Sequence, residues 1–216
     1  MVDVKKNAGN LSLEGGKLCL DFTNTVDWRN DNKRRKEWLN NFSDLILWSR
    51  HVGILEEKTA RALSLKASRQ PDKARQIYKK AIELREILFH IFSSLAAERK
   101  PEDYNLSIFN RFLVEAMGKS CLVSLQNGFT WSFCPDPDSM DFILNPIIKS
   151  AADLLVSSDL KRVKICAEKS CGWLFIDMSR NYSRRWCNMK DCGNRAKAHR
   201  YYQRKCQEKK EYYSKQ

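Results

Sequence analysis

The chain has 216 residues, 43% of them hydrophobic, and a formal net charge of +13, so it is long enough for one large domain or a domain with a small module. No run approaches eighteen apolar residues, which argues against a transmembrane helix, and the lack of an apolar N-terminal run argues against a secreted disulfide framework. Residues 161–216 hold 16 Lys and Arg against 5 Asp and Glu, so we expect a cytoplasmic protein with reduced thiols whose basic end binds a polyanion.

The first part of the chain has the apolar periodicity of helices. Residues 1–10 are polar and are predicted to be disordered. Beyond them, apolar residues recur every three or four positions, as on one face of a helix. The predicted helices cover residues 18–26, 43–52, 56–68, 72–99 and 106–117. Ser43 is the predicted N-cap of the second helix, and Pro71 and Pro101 are predicted to stop the third and the fourth.

The pattern changes after residue 118. Two short apolar runs, 121–125 and 129–133, flank Asn127-Gly128, and this predicts a β-hairpin because both turn residues tolerate a positive φ. A further helix is predicted over 142–156, with Pro146 in its first turns. A polar linker at 157–159 then marks a domain boundary. The predicted N-terminal domain spans residues 11–157 and is mainly α with a small β-hairpin, an α+β fold.

Four of the eight cysteines form two Cys-x4-Cys pairs in the basic part of the chain. They are Cys166, Cys171, Cys187 and Cys192. Two short loops that each supply two thiolates suit a tetrahedral Zn²⁺ site, and four thiolates would leave no open position for catalysis. The alternative is that some of these thiols are merely buried. His199 could replace one cysteine as a ligand, whereas Cys206 lies too far along the chain.

The segments around these cysteines predict the local fold. Strand-like runs at 163–166 and 173–176 place the first pair on a turn, and the composition of residues 194–209 predicts a helix that starts beside the last cysteine. A knuckle between strands followed by such a helix resembles treble-clef-like zinc fingers. We predict this module over residues 161–208, with a frayed tail at 209–216.

The same module carries most of the excess positive charge. Arg and Lys side chains contact phosphates and base edges, so its basic residues are predicted to bind nucleic acid. The predicted contacts are Arg180, Arg184, Arg185, Lys190, Arg195, Lys197, Arg200 and Arg204. Arg184, Arg185 and Arg195 are the candidates for base recognition. The alternative is a solvated basic face that only raises solubility.

A polar cluster near the N-terminus is a candidate ligand site. It consists of Asp21, Asn24, Thr25, Trp28 and Arg29. These residues lie beside the apolar face of the first predicted helix, where they could line a pocket for a small-molecule effector. The alternative is that Asp21 and Asn24 cap or bridge neighbouring helices.

Two segments of the sequence resemble known families. Residues 162–195 contain both cysteine pairs and finish with Cys192-Gly193-Asn194-Arg195; they resemble the CGNR zinc finger family, which is named for these last four residues. Residues 15–29 resemble the opening of the ABATE domain that commonly precedes this finger. The resemblance implies that the four cysteines bind zinc, that the finger binds DNA and that the N-terminal domain senses a ligand. It also implies that the chain is a bacterial, stress-linked transcriptional regulator.

The leading hypothesis for function is a DNA-binding transcriptional regulator with a structural Zn²⁺ finger, for which a homodimer is also considered. Two alternatives use the same surface: RNA binding, with aromatic side chains stacked on unpaired bases, and binding of an acidic protein partner. An enzyme is not expected, because the three histidines are far apart in sequence and no catalytic motif is recognisable. No membrane partner is expected.

Overall fold

The computed structural model describes residues 5–133 and 139–214, with backbone alone for residues 209–214. The helices in this part are α1 (Leu18–Thr23), α2 (Phe42–His51), α3 (Glu57–Arg69), α4 (Pro71–Ala96), α5 (Asp103–Met117), α6 (Asn145–Leu155) and α7 (Asn194–Ser214). The strands form three antiparallel pairs: β1 (Val26–Asp27) with β2 (Lys36–Glu37), β3 (Ser120–Leu125) with β4 (Gly128–Phe133), and β5 (Val163–Ile165) with β6 (Leu174–Ile176). The predicted fold class is confirmed. None of the described helices is long and apolar enough to cross a membrane.

Helix α4 is the centre of the core. It begins with Pro71 in its first turn, where the missing N–H of proline is not needed. Its buried residues recur at helical spacing and include Ala81, Leu84, Leu88 and Ile91. The helix contacts α1, α2, α3, α5 and both strands of the β5–β6 hairpin. The N-terminal helices therefore assemble around α4, and the C-terminal hairpin packs on the same helix.

Some helix boundaries differ from the sequence prediction. Asn41, not Ser43, caps α2, because its side-chain oxygen accepts a hydrogen bond from the backbone N–H of Asp44. Pro71 opens α4 as well as following α3. The sequence prediction used Ser43 as the start of α2 and Pro71 only as the end of α3. Asn41 caps α2 instead, because its extended backbone points the side-chain amide oxygen at the first turn of the helix.

Both ends of the described part contain structure that the sequence did not predict. Asn7 caps a short 3₁₀ helix over Ala8–Asn10, and Ala8 is buried in the core. These residues have a defined place, in contrast to the disorder predicted for residues 1–10. At the other end, α7 continues through Ser214. Residues 1–4 and 215–216 lie outside the described part.

The sheets are short, and one of them was missed. The β3–β4 hairpin forms where Asn127-Gly128 predicted it, with Leu125 paired to Gly128 at the turn. The β1–β2 pair was not predicted: Val26, expected in the first helix, pairs instead with Glu37. Two-residue strands are too short to give a recognisable alternation in sequence.

Strand β6 is buried on both of its faces. Leu174 and Ile176 belong to the main core, together with Val163 from β5. Phe175, which points the opposite way, belongs to a second small core that contains the four cysteines. The predicted boundary at residues 157–161 therefore separates two stretches of sequence that share one hydrophobic core.

A buried ion-pair network ties α4 to the β1–β2 sheet. The Arg85 side chain is 1% exposed, and its two terminal nitrogens each lie 2.7 Å from a carboxylate oxygen of Glu37. Arg85 also donates to Glu86 at 3.0 Å and to the Thr25 hydroxyl at 3.1 Å. Because every charge in this group has a partner, the network can be stable inside the protein.

We expect Arg85→Ala to lower the free energy of unfolding by about 3 kcal/mol, because it leaves the Glu37 carboxylate without its buried partner, whereas Glu86 keeps its pair with Arg29. Arg75→Ala is the matched control, since Arg75 forms an ion pair with Asp72 in which both side chains are exposed. That control should cost less than about 0.5 kcal/mol. Urea unfolding of both variants measures the two values. Equal losses would contradict a structural role for the Arg85 network.

Candidate metal centre and basic groove

Four cysteine side chains meet in the C-terminal module. Cys166 and Cys171 lie on the turn between β5 and β6. Cys187 precedes, and Cys192 belongs to, the π-helical turn Met189–Gly193 that opens α7. The Sγ atoms all lie within 4.8 Å of one another, and all four residues are buried. The structure thus brings together the four residues that were predicted as metal ligands.

The sulfur geometry fits a four-coordinate metal ion. Cys187 Sγ lies 3.7 Å from Cys171 Sγ and 3.6 Å from Cys192 Sγ. A tetrahedral Zn²⁺ with Zn–S bonds of about 2.3 Å holds its sulfurs about 3.8 Å apart, whereas a disulfide requires about 2.0 Å. All four thiols are free. Their spacing therefore suits zinc rather than disulfides, and four sulfurs would fill its coordination sphere.

Hydrogen-bond donors around the sulfurs favour the thiolate form. The Arg195 guanidinium donates from Nη2 to Cys192 Sγ at 3.1 Å, and the backbone N–H of Cys187 points at Cys166 Sγ at 3.5 Å. Within the thiol network, a hydrogen bond from Cys171 is the first cause that lowers the pKa of Cys166, whereas hydrogen bonding to Cys166 raises the pKa of both Cys171 and Cys187. The thiolate is the form that binds metal. The surroundings of the cluster therefore support its role as a ligand set.

The alternative ligand considered from sequence lies elsewhere. His199 is on the exposed surface of α7, and the cluster of metal-binding residues found among the described residues comprises the four cysteines without it. Gly172, beside Cys171, has a φ of 75°. A side chain there would meet Arg29 Cβ at 3.0 Å. Glycine at this position lets the N-terminal part of the chain approach the metal knuckle closely.

That close approach is made by hydrogen bonds in which each pair includes at least one backbone group. The Asn24 side chain pairs with the backbone of Leu174, donating to its carbonyl at 2.8 Å and accepting from its N–H at 2.9 Å. The backbone N–H of Arg29 donates to the carbonyl of Cys171 at 3.0 Å. The Trp173 indole donates to the carbonyl of Val26 at 2.9 Å. The segment after α1 is thereby attached along the finger hairpin, next to one of the four clustered cysteines.

Three of the five residues predicted to line a ligand pocket use their polar groups for contacts within the protein. Asn24 and Arg29 are buried and bind the finger, as described above, and the Arg29 guanidinium pairs with Glu86 at 2.5 Å. The Thr25 hydroxyl donates to the Phe22 carbonyl and accepts from Arg85. Their polar groups are thus used inside the protein, and the bridging alternative describes Asn24 best.

Trp28 differs from the rest of that cluster. It lines a cleft of about 280 Å³ beside the cysteines, whose walls also include Lys6, Trp173 and Arg195. The Trp28 ring lies between two guanidinium groups, with its centroid 4.2 Å from Arg34 Cζ and 4.0 Å from Arg195 Cζ. Its φ of 54° is unusual for a side chain of this size. Trp28 therefore connects the N-terminal part of the chain to the start of α7.

Two of the predicted nucleic-acid contacts have structural partners. Arg184 pairs with Glu14 at 3.4 Å, donates to the carbonyls of Trp186 and Cys187, and lies 4.5 Å from the Phe175 ring centroid. Arg195 contacts Cys192 and Trp28, as described above. Both arginines are half-buried. The sequence could not distinguish them from their neighbours, because their role depends on residues far along the chain.

The other predicted contacts are exposed, and two of them, Arg185 and Arg200, line a groove. The exposed residues are Arg180, Arg185, Lys190, Lys197, Arg200 and Arg204. A groove of about 660 Å³ runs between the first knuckle and α7, and its walls include Arg185, Trp186 and Arg200. Two further basic residues, Arg34 and Lys169, also line it and were missed in the sequence. In the sequence, local basic composition is the only indication that these two residues line the groove. Arg34 reaches it from the loop between β1 and β2, which is far from the finger in sequence.

Burial raises the pKa of the Asp21 carboxyl to about 6, although its hydrogen bond from the Gly15 N–H, at 2.8 Å, opposes the change. The unfolded pKa is about 3.9, so the stabilising protonated form is lost as the pH rises from about 4 through 6. We expect Asp21→Asn to raise the free energy of unfolding by about 2 kcal/mol at pH 8, with the difference vanishing near pH 4.

Urea unfolding of the wild type and Asp21→Asn across this pH range measures the effect. Asp103→Asn, at an exposed position on α5, removes the same charge and is the control. An equal gain in the control would assign the effect to net charge rather than to burial of Asp21.

Two family models match the chain. The model of the CGNR zinc finger matches residues 162–205. The ABATE model, described as "Putative stress-induced transcription regulator", matches residues 16–158. No curated protein matches the sequence. The ABATE match covers well over half of the chain and the finger match contains all four clustered cysteines, so the chain belongs to the ABATE family and carries a CGNR zinc finger after its ABATE domain.

Proposed function

We propose that the protein is a DNA-binding transcriptional regulator whose four-cysteine centre holds a structural Zn²⁺. The observation that supports this most directly is the basic groove beside α7. Basic side chains from three segments, represented by Arg34, Lys169 and Arg200, line one open surface. Separate segments that place the same charge around one groove are well suited to neutralise phosphates on a polyanion.

Helix α7 extends this surface. All described side chains from Lys197 to Glu208 are exposed. Lys197, Arg200 and Arg204 lie three and four residues apart and share one face. An exposed helix of this kind can enter the DNA major groove, which is about 12 Å wide. The helix would then make the base contacts while the knuckle and Arg34 contact the backbone.

The metal would serve this surface without taking part in chemistry. A bound Zn²⁺ would hold the two turns together, because four thiolates complete its coordination. Cys192 and the guanidinium of Arg195 would then fix the start of α7 relative to the knuckle. We therefore assign the centre a supporting role, and reduced thiols together with a DNA target support a cytoplasmic location.

An effector site is proposed in the cleft beside the metal centre. Lys6, Trp28 and Trp173 line this cleft of about 280 Å³, where Lys6 pairs with Asp27 at 2.6 Å, and the aromatic rings suit a planar small molecule. Because Trp28 also contacts Arg195, a ligand there would affect the position of α7. Of the predicted polar cluster, only Trp28, its half-buried aromatic member, belongs to this proposed site.

RNA is a second candidate for the same groove. Trp186 forms part of its wall, and Tyr201 and Tyr202 are exposed on α7. Aromatic side chains beside basic ones stack on unpaired bases. Competition between duplex DNA and structured RNA for the intact protein would decide between the two nucleic acids.

For the metal centre, we expect the wild type to co-purify with one equivalent of zinc and Cys187→Ser to lose it, because an alcohol replaces a soft thiolate ligand. Cys206→Ser changes an exposed thiol outside the cluster and should retain it. Elemental analysis measures the zinc content. Chelation should also increase hydrogen exchange at β6, which lies between the metal centre and the main core. Full zinc content in Cys187→Ser would contradict the ligand assignment.

For nucleic-acid binding, Arg185→Ala and Arg200→Ala should each reduce the slope of log affinity against log salt by about 0.9, the value for one lost phosphate contact. Fluorescence anisotropy with a genomic DNA fragment at several salt concentrations measures the slope. Arg61→Ala is the control, because it removes one exposed positive charge from α3. The same change in slope for Arg61→Ala would show that net charge alone attracts DNA.

A further inference from the structure

The β3–β4 hairpin exposes large apolar side chains that have no function in the proposed DNA site. Phe129 is 76% exposed, Leu122 60%, Leu125 58% and Trp131 46%. Single exposed apolar residues are ordinary on a protein surface, but a group of four on one small element indicates a contact site.

The strand register shows that both faces of the hairpin are apolar. Leu122 lies opposite Trp131, and Phe129 lies opposite Ser124 on the same face. Leu125 and Val123 lie on the other face. An isolated two-stranded hairpin is only marginally stable in water. The strand residues near the turn are exposed on both faces among the described residues, so the hairpin would gain stability from an added apolar surface.

The base of the hairpin is fixed to the body, so the exposed part has a defined direction. Lys119, just before β3, forms an ion pair with Asp141 at 3.2 Å. The Ser120 hydroxyl donates to the Ala116 carbonyl of α5 at 2.9 Å. Lys149 of α6 lies 5.8 Å from the Trp131 ring centroid. A preorganised element loses little entropy on binding.

The charge distribution identifies the partner. Residues 120–133 contain no Asp, Glu, Lys or Arg, although the chain carries a net charge of +13. Copies of such a protein repel one another elsewhere, and they can meet at an uncharged segment without bringing like charges together. The same lack of basic residues makes the hairpin a poor surface for nucleic acid.

The backbone also suits self-association. The described residues contain no third strand paired with β3 or β4. Two antiparallel hairpins related by a two-fold axis are self-complementary, and exposed strand edges commonly add strands in this way.

A typical interface uses about 20–30 residues on each side, and the hairpin has fewer. The surface must therefore extend onto α5, where Val114 and Met117 are exposed. Met117 Sδ lies 4.0 Å from the Ser120 hydroxyl oxygen, so this helix continues directly from the base of the hairpin. From these observations we infer that the β3–β4 hairpin, with the adjoining face of α5, is the surface through which two copies of this chain form a two-fold dimer.

Sedimentation velocity of the full-length, zinc-containing protein tests the inference between about 1 µM and about 100 µM. The wild type should shift towards twice the monomer mass as the concentration rises. Leu122→Thr and Phe129→Thr introduce a polar but β-branched residue that still favours a strand, and each should weaken the dimer about tenfold. Val156→Thr is the control: Val156 is 89% exposed at the end of α6, and its change should leave association unaltered.

Hydrogen exchange provides the second measurement. Amides of β3 and β4 should become more protected as the concentration rises, whereas those of α7 should not. Circular dichroism shows whether each variant is folded. A wild type that stays monomeric throughout the range would overturn the inference. So would a variant that combines Leu122→Thr with Phe129→Thr and still dimerises as the wild type does. DNA binding is measured separately, so failure of the proposed function leaves this test intact.

Discussion

The arrangement of the chain depends on strand β6 having no side that faces solvent. One face places Leu174 and Ile176 in the core formed by the N-terminal helices, and the other places Phe175 against the cysteine cluster. The Asn24 amide fixes the strand by pairing with the backbone of Leu174. Because one strand closes two cores, order at the metal centre and order in the helical body are physically coupled. A finger on a flexible linker would have no such coupling.

The basic residues of the finger divide into two groups that composition cannot separate. Arg184 and Arg195 direct their guanidinium groups inward, towards backbone carbonyls, an aromatic ring and a cysteine sulfur. Arg185 and Arg200 are exposed along the groove. The first group helps to build the surface and the second is available to a ligand. The net charge of the segment therefore overstates the charge that a polyanion would meet.

Sequence patterns predicted the features that have local signals. The residue types at Asn127-Gly128 predicted the hairpin, and the spacing of apolar residues predicted the extent of α4. The spacing of the cysteines predicted that the four thiols would cluster. The contact between Asn24 and Leu174 spans 150 positions, and no local pattern marks it. For the same reason the sequence predicted that the polar cluster after α1 lines a pocket. Asparagine and arginine side chains give the same sequence pattern whether they contact a ligand or a strand. Arg34 was missed because its place in the groove depends on how the β1–β2 loop meets the finger.

Helix α7 is joined to the rest of the protein at its first turn, through the turn Met189–Gly193. The described side chains from Lys197 onward contribute nothing to a packed core. Substitutions along that stretch consequently carry little folding cost, since surface changes away from buried partners seldom exceed about 0.5 kcal/mol. The cysteine turns have no comparable freedom. For the proposed DNA-binding function, target choice can therefore change over evolutionary time through substitutions in one helix, while the scaffold that presents the helix stays fixed.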